Sequence, residues 1–122
     1  MSTYEIRVGA AFEAAHHLTA YRGEPEAVHG HSWEVEACVV CTELNEEDYG
    51  VGFLELQGHL EDLAGRLHHR DINTVPPFDT MSPTAENLAR WFWERMTAAM
   101  PSVDFSGVTV REAPGCSVTY RP

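Results

Sequence analysis

The chain has 122 residues, of which 43% are hydrophobic and 22% charged, and its formal net charge is −11. This composition is typical of a globular protein with one modest core, and we expect a single domain over residues 1–122. So acidic a chain repels phosphate backbones and anionic lipids, which disfavours nucleic acid and membrane as partners. It has neither an apolar run near the ~20 residues of a membrane span nor a signal-peptide pattern, so we expect a cytoplasmic protein.

Alternating apolar and polar residues predict strands. Residues 4–16 form the first predicted strand and residues 29–42 the second, with a Gly- and Pro-containing loop over 17–28 between them. Two shorter strands, 107–112 and 115–121, are predicted at the end of the chain.

Two helices are predicted between these strand pairs. Leucines spaced by three and four residues indicate a helix over 53–68. Ser82 is the predicted N-cap of a second helix, with Pro83 at its first position and Met100 near its end. The order ββααββ predicts an α+β fold with both helices on one face of a four-stranded antiparallel sheet. We expect the other face to expose Val, Cys, Thr and Trp side chains and to be covered by oligomerisation.

Three histidines form a candidate metal site. His29 and His31 are two residues apart on a strand, so their side chains share one face. If the first two strands pair antiparallel, His16 at the end of the first meets both. Three imidazoles without a thiolate are typical of a catalytic zinc that keeps its fourth position open. The alternative is three polar histidines at strand ends with no metal, and we interpret His17 and His59 as surface or packing residues.

Glu112 is a carboxylate at an apolar position. It shares strand parity with Val108 and Val110, so it needs a partner. An N–H beside an NH₂, as on a guanine or pterin ring, would bind it through two parallel hydrogen bonds. Exposure at a strand end, or an arginine partner, remains the alternative.

Five segments then occur in one order along nearly the whole chain. They are "FEAAHHL" (12–18), "HGHSWEV" (29–35), "LHHRDIN" (67–73), "SPTAENLARWFWERM" (82–96) and "VTVREAPGCSVTY" (108–120). Together they resemble the 6-pyruvoyltetrahydropterin synthase / 6-carboxytetrahydropterin synthase family. The resemblance implies the T-fold, a small-molecule pterin as substrate, and assembly into a homohexamer, a dimer of trimers, with sites at subunit interfaces.

The resemblance also assigns roles to residues. His16, His29 and His31 match the family's zinc ligands, Glu112 matches the glutamate that holds the pterin, and His69 matches the histidine of the catalytic relay. In that family zinc polarises oxygens of the substrate side chain, while a cysteine and an Asp–His pair move protons.

The chain departs from this pattern at three positions. Pro25 stands where the family's catalytic cysteine is expected, and His68 replaces the relay aspartate. Gly52 replaces an acidic residue that often precedes the first helix. His68 could relay protons itself or cap the helix C-terminus, and Asp71 could orient His69 in place of the lost acid.

Glu26 offers a replacement for the missing cysteine. The pattern E-x-x-H-G-H, from Glu26 to His31, resembles a subgroup in which a loop glutamate is the base and the side chain of dihydroneopterin is cleaved. A solvated Glu26 is the alternative, and Glu24 is a nearby competitor. The function predicted is therefore a Zn²⁺-dependent lyase or aldolase acting on a dihydropterin side chain. Two alternatives stay open: a catalytically impaired pterin-binding homologue, and a variant that binds another purine-like ligand.

Overall fold

The computed structural model describes residues 2–122 of the chain. The elements in chain order are β1 (Tyr4–His16), β2 (His29–Cys41), α1 (Phe53–Leu67), a 3₁₀ turn (Ile72–Thr74), α2 (Ala85–Ala99), β3 (Phe105–Ala113) and β4 (Cys116–Tyr120). The predicted order of two strands, two helices and two strands is confirmed. In the 3₁₀ turn, Asp71 accepts a hydrogen bond from the backbone N–H of Asn73 at 3.0 Å.

The four strands form one antiparallel sheet in the order β1-β2-β3-β4. Helix α1 packs on β1, and α2 packs on β3 and β4. The predicted leucine face of α1 is confirmed, because Leu56, Leu60, Leu63 and Leu67 are all buried. The core therefore lies between the helices and one face of the sheet, as the pattern of alternating strand residues predicts.

Helix α2 begins later than predicted. Thr84, not Ser82, is the N-cap, and its hydroxyl accepts a hydrogen bond from the backbone N–H of Asn87 at 3.1 Å. The Ser82 hydroxyl instead accepts from the backbone N–H of Thr19, at 3.2 Å. Pro83 is thereby left outside the helix, where its carbonyl oxygen contacts His16.

The sheet face away from the helices differs from the prediction. Trp33 is fully buried on the helix side, stacked on Phe12 with ring centroids 5.8 Å apart, because it has the parity of the other buried β2 residues. The open face carries charged pairs instead: Arg7 lies 3.4 Å from Glu36, and Arg111 lies 3.5 Å from Glu34. The expectation that Trp is exposed there is wrong.

None of the helices within residues 2–122 combines the length and apolar character needed to cross a membrane.

Candidate active site

Three histidines meet at one end of the sheet, on its helix side. The antiparallel register pairs His16 with His29 and Ala14 with His31, so the end of β1 meets the start of β2. One ring nitrogen from each of His16, His29 and His31 lies within 4.8 Å of the other two. The ring centroids of His29 and His31 are 4.8 Å apart, so the two imidazoles lean together along the strand. The predicted juxtaposition of these three side chains is confirmed.

Backbone carbonyls orient two of these rings. The Nδ1 atom of His16 lies 2.8 Å from the carbonyl oxygen of Pro83, and Nδ1 of His29 lies 2.8 Å from that of Ala27. A carbonyl only accepts, so Nδ1 of each neutral ring carries the hydrogen and donates it, which leaves Nε2 with a lone pair. Neither carbonyl contact could be predicted from the sequence, because residue identity does not show where backbone atoms lie.

His16 is held neutral by its surroundings. Its side chain is 1% exposed, and burial lowers the pKa of the imidazole below its ordinary value of 6.5. The hydrogen bond to Pro83 and the charge of Glu112 oppose this shift in the pKa, while His29 and His31 add to it. Trp33 packs edge-on against the ring at 4.8 Å between centroids, which keeps water from that side.

A metal fits this donor set. Nε2 of His16 and Nε2 of His31 are buried and have no hydrogen-bond partner among residues 2–122. A buried lone pair without a donor costs free energy unless a proton or a metal occupies it. Metal-bound histidines usually donate their other ring N–H to an acceptor, as Nδ1 of His16 and of His29 do here to backbone carbonyls. His16, His29 and His31 are thus the residues that could hold a divalent metal.

Glu112 lies beside the histidines at the end of β3. One of its carboxylate oxygens is 3.2 Å from Nε2 of His16 and 3.9 Å from Nε2 of His31. It also lines a cleft of about 400 Å³, together with the start of α2 and the β3–β4 turn. Cys116, exposed, lines the same cleft. A cysteine remote in sequence therefore lies close to the site, which the linear spacing did not indicate.

Glu26 is fixed in the loop beside the cluster. Its carboxylate accepts a hydrogen bond from the backbone N–H of Leu18 at 3.0 Å, and its own N–H donates to the Leu18 carbonyl at 3.0 Å. The same carboxylate oxygen lies 3.9 Å from Nε2 of His29. The loop thus holds Glu26 against the rim of the histidine cluster, whereas Glu24 is exposed at a tight turn.

The segment 68–71 docks on the free edge of β1. His68 accepts a hydrogen bond from the backbone N–H of Glu13 at 3.1 Å through Nδ1, and the N–H of His69 donates to the Glu13 carbonyl at 2.6 Å. His68 is also the C-cap of α1. These contacts give His68 a structural role, and Asp71 is engaged in capping the 3₁₀ turn.

His69 borders a second cleft, of about 440 Å³, with Glu13, Gly30 and Ser32, which have the parity of the open face. His31 also contributes to its lining. The His69 ring stacks on that of His68, with centroids 3.7 Å apart. The structure therefore brings together the three histidines, Glu112 and Glu26, and sets His69 at the neighbouring sheet edge.

His17 and His59 lie outside this constellation. The backbone of His17 is tied to the Asn73 side chain, whose Oδ1 accepts from the His17 N–H at 2.9 Å and whose Nδ2 donates to the His17 carbonyl at 3.0 Å. His59 is exposed on α1.

Comparisons with known proteins agree with this fold. Residues 5–122 match the family described as 6-pyruvoyl tetrahydropterin synthase. The dihydroneopterin monophosphate aldolase of Pyrococcus furiosus is 34% identical over 92 residues, which are 75% of this chain and 74% of that protein.

Solved structures show the same fold. The 6-pyruvoyl tetrahydropterin synthase of Caenorhabditis elegans superposes with a TM-score of 0.86 at 21% identity, covering 100% of this chain and 97% of that one. A Plasmodium vivax 6-pyruvoyltetrahydropterin synthase, a variant in which a catalytic glutamate is replaced by alanine, gives 0.79 at 14% identity, covering 100% and 99%. The predicted T-fold is thus confirmed. On the match over residues 5–122 and the 34% identity to the aldolase, the chain belongs to the 6-pyruvoyl tetrahydropterin synthase family.

Proposed function

We propose that this protein is a metal-dependent lyase that cleaves the side chain of a dihydropterin by a retro-aldol reaction. The observation that carries the proposal is the position of Glu26. Its carboxylate is held by Leu18 at 3.0 Å and lies 3.9 Å from Nε2 of His29, so a base stands at the rim of the metal-ligand cluster. The aldolase relative from Pyrococcus furiosus supports the reaction class.

Zinc is the metal we propose, because three neutral imidazoles with room for a further ligand are typical of catalytic zinc. When bound, it would polarise a hydroxyl oxygen of the substrate side chain. His16, His29 and His31 would hold it, with the Pro83 and Ala27 carbonyls fixing two of the rings. Glu112, in its cleft beside the cluster, would take the N–H and NH₂ edge of the pterin through two parallel hydrogen bonds.

The protein's own groups would then move the protons. Glu26 takes the proton from the hydroxyl on the second side-chain carbon, and the bond between the first and second carbons breaks. The electron pair passes into the conjugated pterin ring, and an aldehyde leaves. A proton returned to the first carbon completes 6-hydroxymethyldihydropterin; His69, supplied at the subunit interface of the proposed hexamer, a dimer of trimers, is the proposed donor.

The test compares Glu26→Gln with Glu24→Gln in zinc-loaded protein. Substrates are 7,8-dihydroneopterin, its monophosphate and its triphosphate, with the aldehyde and pterin products measured by chromatography. Loss of a general base costs about 100-fold or more in turnover, so we expect that loss in Glu26→Gln only. Glu24→Gln removes the same charge from the same loop and should retain the wild-type rate. Equal rates in both variants would remove Glu26 from the mechanism.

A second candidate function is a pterin-binding homologue without turnover. The hydrogen bond from Leu18 favours it, because a carboxylate that fixes a loop needs no catalytic role. This candidate predicts pterin binding that is lost in Glu112→Ala and no product from any of the three substrates. Product formation by the wild-type protein would exclude it.

A further inference from the structure

The Glu112 carboxylate stands closer to the histidine cluster than a group that only anchors a substrate needs to. One oxygen is 3.2 Å from Nε2 of His16 and 3.9 Å from Nε2 of His31. The side chain is 33% exposed, although Val108 and Val110, on the same strand face, are buried. Glu112 thus reaches from the partly exposed end of β3 toward both nitrogens.

Neither the Glu112 carboxylate nor Nε2 of His16 has a hydrogen to donate to the other. The Nδ1 atom of His16 donates to the Pro83 carbonyl, so Nε2 of the neutral ring is an acceptor. Nε2 of His16 and of His31 find no hydrogen-bond partner among residues 2–122, and an ionised carboxylate only accepts. Lone pairs that converge at these distances repel one another unless a cation lies between them.

We propose that Glu112 is the fourth metal ligand in the pterin-free protein, and that a bound pterin withdraws it. Metal–nitrogen and metal–oxygen distances of about 2.0–2.2 Å in a tetrahedral site place neighbouring ligand atoms roughly 3.3 Å apart. The contacts of 3.2 and 3.9 Å from Glu112 to His16 and His31 bracket that separation. A bound metal would draw Glu112 together with the three imidazoles, whose ligand nitrogens lie within 4.8 Å of one another.

The second half of the inference, which rests on the proposed function, is that a bound pterin withdraws Glu112 from the metal. It follows from the shape of the pterin. The N–H and NH₂ edge lies at the opposite end of the pterin from the side chain, so a Glu112 that holds this edge cannot also lie on the metal that binds the side-chain oxygens. Recognition of the ring would therefore open the fourth coordination position to the oxygens of the substrate side chain. Without substrate, the metal would be closed to water and to other small ligands.

The experiment loads Co²⁺ into the pterin-free protein and measures its visible absorption, its affinity and its response to azide. Glu112→Gln is compared with Glu86→Gln, which removes the same charge from an exposed position in the same cleft. We expect wild type and Glu86→Gln to share one spectrum and to resist azide. Glu112→Gln should show an altered spectrum, bind azide, and bind cobalt at least about tenfold more weakly. Thermal unfolding of the metal-free variants checks that each is folded.

Identical spectra, azide responses and cobalt affinities in Glu112→Gln and wild type would overturn the ligand assignment. The second half is tested by adding neopterin, an oxidised pterin, to the wild-type cobalt protein, with binding followed by pterin fluorescence. Azide should then bind; bound neopterin that leaves the spectrum and the azide response unchanged would refute withdrawal. Absence of pterin turnover would count against the proposed function alone, because the ligand assignment is measured without pterin.

Discussion

At the scale of single residues, His16 is the most enclosed of the three clustered histidines. Its side chain is 1% exposed, compared with 37% for His29 and 23% for His31. In so enclosed an imidazole, one ring nitrogen donates to a carbonyl, and the other either binds a metal or stays without a partner. The Pro83 carbonyl accepts from Nδ1, so a residue just before α2 determines that Nε2 of His16 faces the cluster.

The stability of the metal-free protein should therefore depend on pH through His16. Burial lowers the pKa of folded His16 below 6.5, so under acid conditions the unfolded chain binds a proton that the folded chain does not. Stability contributed by neutral His16 is present above pH 6.5 and is lost as pH falls through its folded pKa, by at most about 1.4 kcal/mol per pH unit. Urea unfolding at several pH values should show a smaller decline below pH 6.5 in His16→Gln. Parallel curves for the two proteins would contradict the assignment.

Zinc binding should stabilise the folded state, and this stabilisation should depend on the clustered histidines and not on the others. At a free zinc concentration one hundred times the dissociation constant, the free energy of unfolding rises by about 2.7 kcal/mol. Thermal melts with and without a chelator should show this increase in wild type and in the control His59→Ala, whose histidine is exposed on α1. His29→Ala should lose most of it. An equal zinc effect in His29→Ala would indicate binding elsewhere in the chain.

The positions of some site residues could be predicted from the sequence, and those of others could not. Period-two alternation predicted that His29 and His31 share a face, and antiparallel pairing predicted their meeting with His16, because both follow from strand geometry alone. The contact between Glu26 and Leu18 was not predictable. It depends on the path of the loop over 17–28, where Arg22 and Gly23 both have positive φ and close a tight turn.

Among the elements, the start of α2 combines a structural and a site-building role. Thr84 caps the helix, while the two residues before it face other segments: Ser82 toward Thr19, and Pro83 toward His16. Sequence reasoning chose Ser82 because serine followed by proline is a common helix start. The competing caps differ by two residues, and the tertiary contacts of Ser82 and Pro83 decided between them.

Removing the Thr84 hydroxyl should destabilise the protein more than removing that of Ser82. Loss of an N-cap side chain costs about 1 kcal/mol, so Thr84→Ala should lower the free energy of unfolding by that amount. Ser82→Ala removes only a contact to an exposed backbone N–H and should cost less than about 0.5 kcal/mol. Urea unfolding of the two variants provides the comparison. A larger loss in Ser82→Ala would restore Ser82 as the functional cap.

At the scale of the whole molecule, the two faces of the sheet carry different parts of the proposed chemistry. The histidine cluster and Glu112 lie on the helix side, while His69 borders a cleft formed largely by open-face residues at the edge of β1. The open face is charged, with Arg7 near Glu36 and Arg111 near Glu34, so it can border water inside a closed assembly. From this division we expect a site shared between subunits, in which His69 of one copy serves the histidine cluster of another.

Mixed oligomers test this division directly. Glu26→Gln and His69→Gln should each be nearly inactive alone, because each lacks one proposed proton-transfer group. If the two groups of a site come from different copies, random assembly of equal amounts gives both groups to roughly a quarter of the sites. Differently tagged variants, unfolded together, refolded and shown by native mass spectrometry to be mixed, should then regain roughly a quarter of wild-type turnover. Mixed oligomers that stay inactive would show that Glu26 and His69 act within one chain, whereas an active single variant would show that the residue it replaces is dispensable.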